Sequence, residues 1–271
     1  MSYEVVPRCV PGSADQIFLV EYRPAVERSC VVIVPPFAEE MNRSRPMFHR
    51  VSCVLAEKGI KVIVPDLSGT GDSPGEFGGA TWQAWQGDLA SVLSLAGDPS
   101  LVSLIGVRLG ALLAAEVVGA PGRDVGRMIF WNPCPRGSVF IQQFLRLRTL
   151  SSLFGKSAAG ESLAELKASL LDGEAVEVAG YRIAPELYAA IAGADLHTLA
   201  GRIDSPVHWF EMVASDSAAF PAAAKSVIDL LESTGIDVSS DAIPGPKFWS
   251  TLETTFSDAL IKRTALAITG E

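Results

Sequence analysis

The chain has 271 residues, which is enough for one large α/β domain with a substantial buried core. Hydrophobic residues make up 48% and charged residues 20%, a balance that is typical of globular proteins and excludes a disordered chain. The net charge of −9 opposes a phosphate backbone, so nucleic acid is not an expected partner.

The cysteines and the N-terminal residues indicate the compartment. Cys9, Cys30, Cys53 and Cys134 follow no zinc or redox spacing. The first ten residues, MSYEVVPRCV, lack the pattern of a signal peptide, and no apolar run approaches the ~20 residues that span a bilayer. We therefore expect a cytoplasmic protein with reduced thiols, at least two of them in the core, and without metal, cofactor or membrane span.

Apolar runs alternate with amphipathic stretches along the chain, as in repeated βαβ units. An antiparallel ribbon is predicted at 3–8 and 16–22, followed by strands at 29–37, 60–67, 101–106, 125–134, 205–215 and 236–245. Helices are predicted at 42–58, 82–95, 109–119, 220–233 and 252–268, and residues 135–201 are irregular and helical without a clear buried strand. The pattern predicts one α/β domain over 1–271: a doubly wound, mostly parallel sheet with a helical lid insertion at about 135–201.

The most informative segment is Gly106-Val107-Arg108-Leu109-Gly110, where a predicted strand meets a predicted helix. This glycine spacing at a strand-to-helix turn is typical of the nucleophile elbow of the α/β-hydrolase fold, where small neighbours let helix and strand approach. The central residue is arginine instead of serine, and a protonated guanidinium cannot attack a carbonyl. The segment predicts the fold and argues against ordinary serine-hydrolase chemistry.

The other members of a Ser-His-Asp triad are also altered. The stretch 243–253, where a catalytic histidine is expected, contains none. The three histidines of the chain, His49, His197 and His208, are interpreted as satisfied core or surface residues. Asp216 stands where the catalytic acid is expected, and capping of the following helix is the alternative role for it.

The loop after the first buried strand differs from the usual oxyanion-hole segment. Pro36 and Phe37 stand in place of its histidine and glycine, and Glu39 and Glu40 follow directly. Two carboxylates would oppose a developing negative charge but would suit a cation. Stabilisation of a helix N-terminus is the equally weighted alternative.

The glycine-rich loop DLSGTGDSPG at 66–75 is similar to a loop common in α/β-hydrolases of the serine aminopeptidase type. Asp72 and Ser73 can bond the loop backbone, so an architectural role is favoured. Ser73 is not expected to replace the missing nucleophile, because no histidine follows in a suitable place.

The whole chain resembles the exosortase A system-associated hydrolases of the second type, a serine aminopeptidase-like group. The resemblance rests on long strings at 35–45, 66–85, 106–116, 142–148, 178–187, 206–211 and 248–253. It implies an α/β-hydrolase fold with arginine at the elbow. It also implies a genomic neighbourhood of exopolysaccharide production and PEP-CTERM protein sorting in Gram-negative bacteria, with possible protein partners from that system.

Three functions are compatible with these residues. The first is ester, thioester or acyl hydrolysis without a triad, in which Glu39 or Glu40 is the base and Arg108 the anchor. The second is an inactive binding protein that holds an anionic ligand at Arg108. The third is a scaffold for the exosortase or exopolysaccharide system.

The residues expected at the site follow from the fold. Arg108 is expected to pair with at least one of Glu39 and Glu40, because a buried unpaired guanidinium is costly. The candidate catalytic residues are Arg108, Glu39, Glu40 and Asp216. A small-molecule ligand, acyl or anionic, is expected to contact Phe37, Asp72, Val107, Leu109 and Trp131.

Overall fold

The computed structural model describes residues 3–154, 161–215 and 219–270, and for 151–154 it describes the backbone alone. Within this part of the chain, one large sheet contains eight strands: β1 Tyr3–Pro11, β2 Gln16–Pro24, β3 Ser29–Val34, β4 Ile60–Pro65, β5 Val102–Val107, β6 Arg127–Trp131, β9 Val207–Val213 and β10 Val238–Pro244. Their order across the sheet is β1-β2-β4-β3-β5-β6-β9-β10.

Strands β1 and β2 pair antiparallel, and β2 pairs antiparallel with β4. The remaining six strands, β4, β3, β5, β6, β9 and β10 in order across the sheet, run parallel to one another. This arrangement confirms the predicted α/β-hydrolase fold. The helices are α1 Glu39–Glu57, α2 Trp82–Ser94, α3 Gly110–Val118, α4 Gly137–Phe154, α5 Leu163–Leu171, α6 Pro185–Gly193, α7 Leu196–Leu199, α8 Ala222–Ser233 and α9 Asp258–Thr269.

The parallel strands are buried on both faces, and alternate residues enter two separate cores. In β3, Val32 and Val34 face the core beneath α2, α3 and α8, while Val31 and Ile33 face the core beneath α1 and α9. A strand covered on both faces has no polar side, which explains its continuous apolar sequence. Cys30 and Cys134 are buried, as expected for at least two of the thiols.

The insertion between β6 and β9 is not purely helical. It contains the hairpin β7 Val176–Val178 and β8 Tyr181–Ile183, which the sequence did not predict. Each strand has only three residues, too few to show a period of two. Ala179 and Gly180 both have positive φ at the turn, as a tight hairpin requires.

Two helix starts differ from the prediction by three residues or more. Helix α1 begins at Glu39, three residues before the predicted start, so Glu39 and Glu40 form its first turn. Helix α9 begins at Asp258 instead of residue 252, because the Ser257 hydroxyl accepts the Leu260 N–H at 3.2 Å and caps it there. None of the helices in the described ranges is long and apolar enough to cross a membrane.

Candidate active site

Arg108 occupies a sharp turn between β5 and α3. Its φ of +55° lies in the left-handed region, which is uncommon for a residue other than glycine. Its N–H donates to the Trp131 carbonyl at 3.0 Å, and its carbonyl accepts from Ala111 N–H and Cys134 N–H at 3.2 Å. The backbone therefore retains the strained geometry of a nucleophile elbow, with a guanidinium at its centre.

The two glycines of the motif allow this turn to pack. A Cβ on Gly106 would lie 2.5 Å from Cα of Ala111, so the glycine lets α3 approach β5. A Cβ on Gly110 would lie 2.5 Å from the carbonyl oxygens of both Val34 and Pro35. These are backbone atoms that cannot rotate away, so the elbow needs both glycines whatever residue stands between them.

The Arg108 side chain is largely enclosed, with 16% of its surface exposed. Nε and Nη2 lie 3.4 and 3.3 Å from Glu40 Oε1, and Nη1 donates to the Asn132 carbonyl at 3.1 Å. The guanidinium also lies 5.0 Å above the Trp249 ring. The predicted pairing with one of the two glutamates is thus confirmed, and the partner is Glu40.

The adjacent glutamates have different surroundings. Burial raises the pKa of Glu40 although Arg108 acts in the opposite direction, and its buried Oε2 has no hydrogen-bond partner among the described residues. The Glu39 side chain is 48% exposed, and hydrogen bonds from Asn42 and Arg43 outweigh the effect of its limited burial and lower its pKa. The N-cap residue of α1 is Ala38, and no side-chain hydrogen bond caps the helix there. The two glutamates therefore match the capping alternative only by their place in the first turn.

Two cavities meet at Arg108. The Glu40 cavity, of about 300 Å³, is lined by Phe37, Glu39, Glu40, Arg43, Arg108, Phe140, Gln143, Phe144, Leu147, Trp249 and Ser250. The His197 cavity, of about 460 Å³, is lined by Arg108, Asn132, Pro133, Cys134, Pro135, Arg136, Val139, Phe140, Gln143, His197, Glu211, Ala223 and Ser226. Arg108 and two residues of α4, Phe140 and Gln143, therefore separate the cavities and belong to both.

Some predicted ligand contacts lie elsewhere. Val107 and Trp131 are fully buried in the core beneath α1 and α9, and the Trp131 indole donates to Thr264 at 3.0 Å. Their strand positions direct both side chains into this core and neither lines one of the two cavities, so the predicted contacts are wrong for both. Asp72 is exposed on its loop and lines neither cavity; its N–H donates to Asp66 Oδ2 at 2.8 Å.

Other predictions have mixed outcomes. Phe37 lines the Glu40 cavity, and Leu109 lines only a separate water-sized pocket of about 20 Å³ beside Phe37. Ser73 is buried and joins two backbones, accepting from Phe18 N–H at 2.8 Å and donating to the Asp66 carbonyl at 2.5 Å, which supports an architectural role. Asp216 lies outside the described residues.

His197 differs from its prediction. It has hydrogen-bond partners, as expected, but it also lines a cavity beside Arg108. The sequence did not indicate this position, because His197 is far from the stretch where a catalytic histidine normally occurs. It likewise did not indicate Glu211, whose pKa is raised by burial, or the face of Trp249 against Arg108.

The polar groups of the site do not resemble a metal centre. Among the described residues, no group of three or more histidine, cysteine, aspartate or glutamate side chains could hold a metal ion. The polar residues around Arg108 instead include the ion pairs Glu40–Arg108 and Glu39–Arg43, the Gln143 amide, Glu211 and the hydrogen-bonded His197. Their chemistry is that of proton transfer and charge stabilisation.

Comparison with known proteins identifies the family. A family model described as serine aminopeptidase, S33, matches residues 25–189, more than half of the chain. The chain belongs to this family. No curated protein sequence matches it.

Solved structures share the fold at low sequence identity. A carboxyl esterase from Bacillus coagulans in complex with glycerol is 13% identical with a TM-score of 0.66, covering 100% of this chain and 99% of that one. Est1E from Butyrivibrio proteoclasticus with bound ferulic acid is 13% identical with a TM-score of 0.63, covering 97% and 96%. The thioesterase domain from the curacin biosynthetic pathway is 14% identical with a TM-score of 0.61, covering 99% and 100%.

Proposed function

We propose that this protein hydrolyses an acyl ester or thioester in the Glu40 cavity, with Glu40 as general base and Arg108 as the cation that stabilises the oxyanion. The observation that carries this proposal is the Glu40–Arg108 pair at the elbow, on the wall of a 300 Å³ cavity. The fold shared with esterase and thioesterase structures supports the same class of substrate.

The environment of Glu40 suits a general base. Its side chain is 23% exposed and lines the cavity, while burial holds its pKa above the usual carboxyl range. A base is most effective when its pKa approaches the working pH. The neighbouring Glu39 has a lowered pKa, so the two carboxylates are separated in proton affinity, as in other acid–base sites.

The reaction begins with a water molecule that gives its proton to Glu40 as its oxygen attacks the acyl carbonyl carbon. The carbonyl oxygen gains negative charge and is stabilised by Arg108, two of whose five N–H groups are not used by Glu40 or Asn132. The tetrahedral intermediate then expels the alkoxide or thiolate, which takes the proton back from Glu40.

The walls of the Glu40 cavity favour an apolar acyl group. Phe37, Phe140 and Phe144 lie together, with the Phe37 ring centroid 5.7 and 5.1 Å from those of the other two, and Leu147 and Trp249 complete the apolar surface. An apolar wall also lowers the local dielectric constant, which strengthens the interaction between Arg108 and a developing oxyanion.

The experiment measures hydrolysis of p-nitrophenyl butyrate and of a butyryl thioester by the full chain. Glu40→Gln should lower kcat/KM by about 100-fold or more, because the variant cannot accept a proton. Glu57→Gln, at the other end of α1 and exposed, is the matched control and should leave turnover unchanged.

The pH dependence provides a second test. In the wild type, kcat/KM should fall as pH is lowered through the raised pKa of Glu40, and this acidic limb should disappear in Glu40→Gln. A kcat/KM in Glu40→Gln equal to that of the wild type would contradict the proposal. An absence of turnover, with stabilisation by carboxylate ligands that Arg108→Met abolishes, would favour the anionic-ligand binding protein instead.

We also infer that the chain belongs to the exosortase A-associated, type 2 group within its family, and acts in the cytoplasm. The arginine-centred elbow at 106–110 and the string FWSTLE at 248–253 are among the segments on which the resemblance rests, and both border the Glu40 cavity. Deletion of the gene in its native host should disturb exopolysaccharide production or sorting of envelope proteins. A deletion strain with both processes intact would contradict it.

A further inference from the structure

Three side chains in and beside the His197 cavity form a continuous hydrogen-bonded line. Asp195 Oδ1 lies 2.9 Å from His197 Nδ1, and His197 Nε2 lies 3.1 Å from Ser226 Oγ. His197 and Ser226 line the cavity themselves. Both distances lie within the range of nucleophile–base and base–acid contacts in hydrolytic enzymes.

Asp195 determines the orientation of the imidazole. A carboxylate only accepts, so Nδ1 carries the proton of the neutral ring and Nε2 is left with a lone pair that accepts from the Ser226 hydroxyl. Asp195 is itself fixed, because Oδ1 also accepts the His197 N–H at 2.9 Å as the cap of α7 and Oδ2 lies 3.6 Å from Arg136 Nε. The line is therefore pre-arranged by local structure.

Ser226 is the accessible end of the line. It lies on α8, five residues into the helix, and is exposed to solvent and to the cavity. A serine within a helix commonly bonds a backbone carbonyl of the preceding turn. Ser226 faces an imidazole instead, which is the arrangement that activates a hydroxyl.

We propose that Ser226 is a nucleophile that accepts an acyl group from an ester or thioester bound in the His197 cavity, with His197 as its general base and Asp195 as a positioning residue. This second reactive centre goes beyond the hydrolysis proposed at Glu40 and uses none of the same carboxylates. Its residues come from α8 and from α7 with its N-cap, whereas the elbow contributes only Arg108 to the wall of the same cavity.

The step is an ordinary acyl transfer. Ser226 Oγ forms a bond to the carbonyl carbon as its proton passes to His197 Nε2, and Asp195 stabilises the imidazolium. The intermediate collapses, the bond to the alkoxide or thiolate breaks, and His197 Nε2 protonates that leaving group. A water molecule then gives a proton to His197 Nε2 as its oxygen attacks the acyl carbon, the bond to Ser226 Oγ breaks, and Oγ takes that proton back as the acid leaves.

The cavity provides the other requirements of this reaction. Arg136 and Gln143 place a cation and an amide donor in its wall, and such groups stabilise a tetrahedral oxyanion. Pro133, Val139 and Phe140 provide apolar contact for an acyl chain. A volume of about 460 Å³ falls within the range of small-molecule sites.

The experiment treats the full chain with a fluorophosphonate probe and, separately, with p-nitrophenyl acetate, then maps adducts by peptide mass spectrometry. One adduct is expected, on Ser226, absent in Ser226→Ala and formed at least about tenfold more slowly in His197→Gln. The matched control Ser233→Ala, on the same helix with its hydroxyl bonded to the Leu230 carbonyl, should react as the wild type does. No adduct on Ser226, or equal rates in His197→Gln, would overturn the proposal.

A thiol in place of the hydroxyl reports on the imidazole directly. In Ser226→Cys, alkylation of the introduced thiol by iodoacetamide should have its pH midpoint below the ~8.5 of a free thiol, and His197→Gln should remove that shift. An alkylation midpoint that is the same with and without His197→Gln would overturn the proposal, even if the adduct experiment failed through misfolding. Labelling of Ser226 should persist in Glu40→Gln, and Glu40-dependent turnover should persist in Ser226→Ala, so the two centres fail separately.

Discussion

The two cavities that meet at Arg108 hold their polar groups in different ways. In the Glu40 cavity, an ion pair joins residues 68 positions apart, and both side chains are less than one quarter exposed. In the His197 cavity, the carboxylate and imidazole are two residues apart and the hydroxyl is on an exposed helix face. The first set is enclosed at both ends, whereas the second ends in a hydroxyl on the solvent-exposed side of α8.

This difference has a chemical counterpart. The elbow retains the turn and the glycines of a serine-hydrolase scaffold but holds a guanidinium, which stabilises charge and cannot attack. The Ser226 hydroxyl, with the His197 imidazole as its partner, lies in the wall of the His197 cavity instead. Substitutions that separate folding from chemistry therefore test the comparison directly.

The largest effect is expected at the elbow, on which both cavities depend. Gly110→Ala places a Cβ 2.5 Å from two backbone carbonyl oxygens, so β3 or α3 must shift. We expect a loss of about 3 kcal/mol in the free energy of unfolding, measured by urea denaturation. The control is Gly79→Ala, whose new methyl meets nothing within 4 Å; equal effects would show that the close approach is unimportant.

Next in size is the removal of the cation. Arg108→Met leaves Glu40 without its ion-pair partner and should cost about 1–3 kcal/mol, discounted from a fully buried pair because both side chains are partly exposed. The double variant Arg108→Met/Glu40→Gln should lose less than the sum of the single variants. Additive losses would mean that the pair is not coupled.

The cost of Arg108→Met should depend on pH. Without Arg108, the folded-state pKa of Glu40 rises further above its unfolded value, since burial is then opposed by nothing. A raised folded pKa gives stability that is present below the unfolded pKa and is lost as pH rises through the folded one. The deficit in Tm relative to wild type should therefore be larger at pH 8 than at pH 4.5, and a constant deficit would contradict this account.

The smallest effect is expected from Ser226→Ala. The hydroxyl is exposed, so its loss should change the free energy of unfolding by less than about 0.5 kcal/mol while abolishing the adduct. Urea denaturation of the variant and the wild type measures the first effect, and peptide mass spectrometry after treatment with the fluorophosphonate measures the second. A large loss of stability would show that the His197 cavity is as much a part of the packing as the Glu40 cavity.

The sequence predicted the sheet and most helices because the buried strands are continuous apolar runs and the helices repeat apolar residues at helical spacing. It predicted the elbow because the glycine spacing records a steric requirement at Gly106 and Gly110. The hairpin at Tyr181 escaped prediction because three-residue strands carry no periodicity. The early start of α1 follows Ala38, whose φ of +53° no local signal indicates.

The site was only partly predictable for a related reason. The Arg108–Glu40 pair follows from charge and fold, since a guanidinium at the strand ends needs a carboxylate. The sheet face of Trp131 was misjudged because position at a strand end does not say which side the indole takes. The contact between His197 and Ser226 joins two helices whose relative placement depends on the whole insertion, so sequence spacing does not reveal it.

Helix α4 supplies the shared wall of both cavities through Phe140 and Gln143. A ligand on one side that displaces this wall alters the space on the other side. Thermodynamic linkage makes such an influence mutual: whatever factor the first ligand imposes on the affinity for the second, the second imposes on the first. Binding in the Glu40 cavity and binding in the His197 cavity would then be coupled through the position of α4.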